Sequence, residues 1–168
     1  EILFDFLDSK PDIVDAPDAV ELKSKSMSVA FDNVSFEYNA GEPVLQNINL
    51  NVPAGKVCAL VGPSGGGKTT MFNLLERFYE PQMGKITINR RDIRKYTLKS
   101  LRKNIAEVSQ DVFLFNGTIA DNIKYGNEKA TDEMVIAAAR AANAHDFIME
   151  FPDGYNTCVG ERGGLLSG

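Results

Sequence analysis

Eight consecutive residues, Gly62-Pro63-Ser64-Gly65-Gly66-Gly67-Lys68-Thr69, fit the pattern G-x-x-x-x-G-K-[ST] without a gap. Residues of these types in this order are suited to holding phosphate oxygens. The glycines allow a tight turn in which successive backbone N–H groups converge on one anion. Lys68 adds a mobile positive charge able to reach β- and γ-phosphates, and the Thr69 hydroxyl can ligate Mg²⁺. Thr70 continues the run into the next element.

Such a loop works only if flanking elements fix its ends. The apolar run Val57-Cys58-Ala59-Leu60-Val61 predicts a buried strand leading into it. Thr70-Met71-Phe72-Asn73-Leu74-Leu75 predicts the start of a helix leading out, ending near Tyr79-Glu80-Pro81. The N-terminus of that helix adds partial positive charge beside the bound anion.

Further strands are expected around this unit. Val29, Phe31, Val34, Phe36 and Tyr38 alternate with polar residues, with a bulge near Asp32-Asn33. Leu45, Ile48, Leu50 and Val52 form a second strand pattern, Gly84–Ile88 a third, and Ile105–Gln110 a fourth that ends in polar groups. A short helix is expected around Leu98–Arg102. After Gln110 the pattern turns helical, over Thr118–Ile123 and Thr131–Phe151, with Thr131 as an N-cap followed by Asp132 and Glu133. Residues 10–26, with Pro11, Pro17 and a Ser/Lys run, read as a linker outside the core.

Composition narrows the class. The 168 residues carry a net charge of -5 and 43% hydrophobic residues, which suits a globular fold and argues against a nucleic-acid binder. No run of eighteen apolar residues is present, so no membrane span is expected within the chain. No basic region precedes the first apolar residues, so no signal peptide is expected, and the first residue is Glu1 and not Met, which suggests a piece of a longer protein. Cys58 and Cys158 lack metal-ligand spacing and are expected to be buried, inert thiols in a reducing compartment. The cluster Arg90, Arg91, Arg94, Lys95, Lys99, Arg102 and Lys103 reads as a solvated face, and His145 as a helix-surface residue.

Four features around the loop make the reading more specific. Tyr38 precedes it and Gln110 follows it. Then come Asp111 to Ile123, with Asn116-Gly117-Thr118-Ile119, and at the end Gly160-Glu161-Arg162-Gly163-Gly164-Leu165-Leu166-Ser167-Gly168. In this order they resemble the nucleotide-binding domain of an ABC transporter, of the exporter type in which membrane and ATPase domains share one polypeptide. Bacterial lipid-A and multidrug exporters are of this type. The resemblance runs over essentially the whole chain.

The resemblance implies an α/β fold: a P-loop NTPase (RecA-like) core with an antiparallel β-subdomain and a partial α-helical subdomain. The expected divisions are residues 1–26 as a linker from a membrane domain, 27–110 as the ATP-binding core, and 111–168 as the helical subdomain. It implies ATP and Mg²⁺ as cofactors, with Tyr38 stacked on adenine, residues 62–70 around the phosphates, and Thr69 and Gln110 at the metal. Lys68 and Gln110 would serve the chemistry. Ser167 and Gly168, in the cut signature Leu-Ser-Gly-Gly-Gln, would face the ATP of a second such domain. Glu161-Arg162-Gly163 would lie near a membrane domain's intracellular loops.

The implied function is export of a lipid or drug-like substrate driven by MgATP binding and hydrolysis. The implied location is the cytoplasmic face of the inner membrane. Gly66 and Thr69 stand where Ser is frequent, and both keep the mechanism. The sequence stops before the Walker B strand, the general-base Glu and the switch histidine of the family. The domain is therefore expected to be incomplete, with apolar surface exposed beside the loop strand, and the chain alone is not expected to hydrolyse ATP. A nucleotide-binding-only or regulatory module stays open as the alternative. A GTPase is disfavoured because no Asn/Thr-Lys-x-Asp guanine reader follows the loop.

Overall fold

The computed structural model describes residues 11–109 and 113–160. These fall into two compact units divided after Glu107. No helix among the described residues is long and apolar enough to cross a membrane.

The first unit is built on a four-stranded antiparallel sheet of order β2-β1-β3-β4, with β1 Val29–Glu37, β2 Pro43–Val52, β3 Met83–Ile88 and β4 Arg91–Asp92. β1 is central, with Phe31 opposite Leu50 on one side and Ile86 on the other. Its expected bulge is present at Asp32-Asn33, where the register shifts and Asn33 takes φ 50°. The extra residue restores the inward phase, so Phe31, Val34 and Phe36 are all buried. Gly84 faces the bulge at φ +81°. A Cβ there would overlap the backbone carbonyl oxygens of Asp32 and Asn33.

One face of this sheet is covered by helix α1, Lys68–Leu75, and helix α2, Leu98–Lys103. Their buried residues Met71, Leu74 and Leu101 join Phe31, Val34, Phe36, Leu45, Ile86 and Ile88 in one core. Full burial of each large side chain contributes about 1.5–3 kcal/mol. Helix α1 ends sooner than the sequence suggests. Arg77 enters the left-handed region at φ 54°, and the N–H groups of Phe78 and Arg77 donate to the carbonyls of Asn73 and Leu74. This is the bond pattern of a glycine-type C-cap carried by an arginine. The buried Arg77 guanidinium holds it there, donating to the carbonyls of Tyr96 and Val14 and to Glu80. Arg102 then donates to the last carbonyls, Glu76 O and Arg77 O, with its guanidinium 4.6 Å from the Phe78 ring centre. At least this member of the basic cluster is therefore engaged with the backbone as well as solvated.

Several expectations fail. Val57–Val61 and Ile105–Ser109 form no strand, and Val57, Val61 and Val108 are almost fully exposed. A strand is held by its ladder, and among the described residues neither segment has one. Cys58 is consequently exposed, and so is Cys158 in the second unit, where the buried neighbour Val159 takes the inward position. Finally, the segment read as lying outside the core supplies Leu22 to it. Backbone bonds from Val20 to Lys95 and from Thr97 back to Val20, with Asp15 accepting from the Leu98 N–H, tie that segment to α2.

The second unit holds α3, Ile119–Lys124; α4, Asp132–Ala141; and α5, His145–Met149, around Ile119, Ala139, Ile148 and Val159. The long expected helix breaks at Asn143, which takes φ 54°. Thr118 and Asp121 form a reciprocal capping box on α3, and Thr131 caps α4 as expected. Backbone and side-chain bonds from Thr118 hold the Asp121 carboxyl below its ordinary value of 3.8. That stabilisation is present above the ordinary value and lost as the pH falls below it.

Candidate functional site

The phosphate loop is positioned from behind by β2 and in front by α1. Gly67 is the N-cap of α1, buried, with φ +80°. A Cβ at Gly67 would lie 2.6 Å from Leu45 Cδ2 and 3.2 Å from Val44 O. Leu45 can shift its side chain, but the Val44 carbonyl and the left-handed backbone together still favour glycine here. Gly65 is also left-handed, at φ +77°, and Gly66 N–H closes a turn onto Pro63 O at 3.2 Å. Gly67→Ala is expected to cost about 1–3 kcal/mol through overpacking and left-handed strain together. Urea denaturation checks this, and an unchanged midpoint would contradict it.

The start of α1 is built for an anion. It has no side-chain cap and no acidic residue in its first turn. Its early N–H groups and its positive dipole end are therefore not neutralised by the chain itself. Lys68 lies at this point and folds back over the loop, with Nζ donating to Gly62 O at 2.9 Å and Pro63 O at 2.6 Å. Both acceptors are neutral carbonyls, so the ammonium charge remains unpaired by any carboxylate in these bonds. A polyphosphate oxygen is a stronger acceptor and can replace them. The Thr69 residue is exposed at the same turn. Among the described residues no group of three or more His, Cys, Asp or Glu could hold a metal ion. The donors gathered here, backbone N–H groups, the Lys68 ammonium and the Thr69 hydroxyl, suit a polyphosphate anion.

Tyr38 lies just beyond the end of β1 and is brought to this site by the sheet. Its hydroxyl donates to Thr70 Oγ1 at 3.2 Å and accepts from Asn73 Nδ2 at 3.1 Å. The ring makes edge contacts with Phe36 and Tyr79, at centroid distances of 4.8 and 5.0 Å, yet the residue stays 44% exposed. Its hydroxyl thus ties a partly exposed aromatic residue to the first two turns of α1. A groove of about 760 Å³ is lined by Tyr38 itself together with Phe36, Arg77, Phe78, Tyr79 and Arg102. No phosphate-loop residue lines that groove, so it is not the triphosphate cradle.

Of the residues singled out in the sequence, the structure brings together Tyr38, Gly62 to Gly67, Lys68, Thr69 and Thr70. Gln110, Glu161 to Gly163, Ser167 and Gly168 lie outside the described residues. Asn73 was missed. Its signal was the spacing from Thr70, which places the two on one face of α1. Leu45, which backs Gly67 together with Val44, reads in the sequence only as a strand residue.

Residues 45–168 match the family described as ABC transporter. An ATP-dependent lipid A-core flippase of Syntrophus aciditrophicus is 51% identical over 99% of this chain and 28% of its own length. The mitochondrial iron-sulfur clusters transporter atm1 of Neurospora crassa is 48% identical over 100% of this chain and 24% of its own length. A solved bacterial Atm1-family ABC exporter with ATP bound superposes with a TM-score of 0.90 at 45% identity, covering 99% of this chain and 30% of that one. The chain thus spans less than a third of each of these relatives. The fold is the mixed α/β arrangement of a P-loop NTPase with an antiparallel sheet. With the family match covering most of its length, the chain belongs to the ABC transporter family.

Proposed function

We propose that this chain is the ATP-binding part of an ABC exporter, in which MgATP binding and hydrolysis by the full-length protein drive export of a lipid or drug-like substrate. The observation that carries the reading is the uncapped start of α1, with Lys68 at its first position bonded only to neutral loop carbonyls. The names of the relatives, a lipid A-core flippase and an Atm1-family exporter with ATP bound, support the choice of nucleotide and the direction of transport.

In this proposal the triphosphate displaces Lys68 Nζ from the Gly62 and Pro63 carbonyls and collects the N–H groups of residues 65–70. The Thr69 hydroxyl and Gln110 would hold Mg²⁺, which when bound neutralises charge between the β- and γ-phosphates. The Tyr38 ring would stack on the adenine, and Ser167 and Gly168 would meet the ATP of a second such domain. The partners are then that second domain and a membrane domain, at the cytoplasmic face of the membrane. In the second unit, exposed Phe113, Phe115 and Tyr125 form an aromatic group, with Phe115 and Tyr125 stacked at 4.1 Å. Exposed aromatic clusters of this kind suit a protein contact. The 168-residue chain by itself is proposed to hold nucleotide without cleaving it.

Base recognition gives the test. Tyr38→Ala is expected to weaken ATP by about tenfold, since stacking on an aromatic contributes roughly 1–3 kcal/mol. Inorganic tripolyphosphate should lose nothing comparable. Titration calorimetry with both ligands decides, and equal losses would sink the adenine assignment.

A further inference from the structure

Asn73 takes no part in the phosphate loop, and its family of contacts is not predicted by the loop pattern. Its side-chain amide donates to the Tyr38 hydroxyl at 3.1 Å, while the same hydroxyl donates to Thr70 Oγ1 at 3.2 Å. Thr70 is buried and lies on α1 within the core, so its hydroxyl is a fixed point. Asn73 is one turn further along the same helix. The two together hold one hydroxyl from both sides, which saturates its single donor and one of its acceptor positions. The ring behind that hydroxyl is braced on its flanks by Phe36 and Tyr79, both nearly perpendicular to it. Tyr38 nevertheless remains 44% exposed in spite of these contacts.

We propose that Asn73 is a positioning residue for nucleotide recognition, acting through the Tyr38 hydroxyl to hold that ring in a stacking pose before the base arrives. The inference rests on the reading of Tyr38 as the adenine-stacking residue. Ordering a free side chain on binding costs affinity, and a ring already held in place avoids that cost. Asn73 would thus raise affinity for the base without touching the nucleotide. The clasp also joins the base site to the phosphate site, because Thr70 belongs to both.

The test is a double-mutant cycle in the full-length protein, with ATP and inorganic tripolyphosphate titrated separately. Asn73→Ala is expected to weaken ATP about three- to tenfold and to leave tripolyphosphate unchanged. Tyr38→Phe keeps the ring and removes the hydroxyl, so it should produce a similar selective loss. Adding Asn73→Ala to Tyr38→Phe should then cost nothing further, because the shared bond is already gone. The proposal is overturned if Asn73→Ala leaves ATP affinity unchanged, if it weakens both ligands equally, or if its effect persists undiminished beside Tyr38→Phe. Tyr38→Ala separates the two failures. If it weakens ATP selectively while Asn73→Ala does not, only the positioning role falls. If it weakens both ligands equally, the adenine assignment itself is wrong.

Discussion

Lys68→Ala should lower the affinity for ATP by at least about a hundredfold while leaving the fold intact. A hydrogen bond to a charged group is worth roughly 1.5–3 kcal/mol, and the ammonium here would serve two phosphates at the positive end of a helix. Each 1.4 kcal/mol is about tenfold. The folded chain, in contrast, gains little from Lys68. Its two bonds are to loop carbonyls in an exposed environment, and alanine is a better helix former at the same position. The urea midpoint should therefore move by no more than about 0.5 kcal/mol. Calorimetry and a denaturation curve on the same preparation check both halves. An ATP affinity within threefold of the parent would mean that the anion site has been misplaced.

Gly84→Ala is expected to have the opposite signature, with loss of the fold and no direct effect on the site. The new Cβ would overlap two backbone carbonyl oxygens, of Asp32 and Asn33, and backbone has no rotamer by which to move aside. The residue would also carry the left-handed penalty at φ +81°, about 1–2 kcal/mol on its own. With overpacking of about 1–3 kcal/mol added, a destabilisation of about 2–5 kcal/mol follows. That is a large share of a typical stability of about 5–15 kcal/mol. The urea midpoint and soluble yield report it, and a change below about 1 kcal/mol would show that β1 and β3 can separate there without cost. Because Gly84 faces the bulge that keeps Val34 and Phe36 inward, the variant tests the register of β1 as well as its spacing.

The parts of the molecule legible in the sequence are those set by local pattern. The loop, the start of α1, three strands of the sheet, the β1 bulge and the cap at Thr131 all follow from short-range chemistry. What was misread depends on partners distant in sequence. Val57–Val61 has the composition of a buried strand, but a strand also needs neighbours, and composition does not say whether they are present. The early end of α1 was hidden because a left-handed cap is expected at glycine, and Arg77 adopts it only with its guanidinium anchored on Val14, Tyr96 and Glu80. Leu22 was assigned outside the core because the prolines and charges around it dominate the local pattern. At the candidate site, the loop and Tyr38 are singled out by the sequence, but the bonds from Tyr38 to α1 are not, since Asn73 looks like any polar residue on a helix.

The placement of Tyr38 beyond the end of β1, away from the loop itself, has a consequence for how such a site can change over generations. On the reading proposed above, the grip on phosphate and the choice of base are written in different elements, one at the start of α1 and one past the end of the central strand. A substitution at position 38 could retune which nucleotide is held, or broaden the choice, with the anion site unaltered. Changes within residues 62–69 have no such latitude where Gly67 is pressed against Leu45. Selection would then leave the loop nearly fixed and allow drift in base preference, with Thr70 and Asn73 as the positions where the two lineages of change meet.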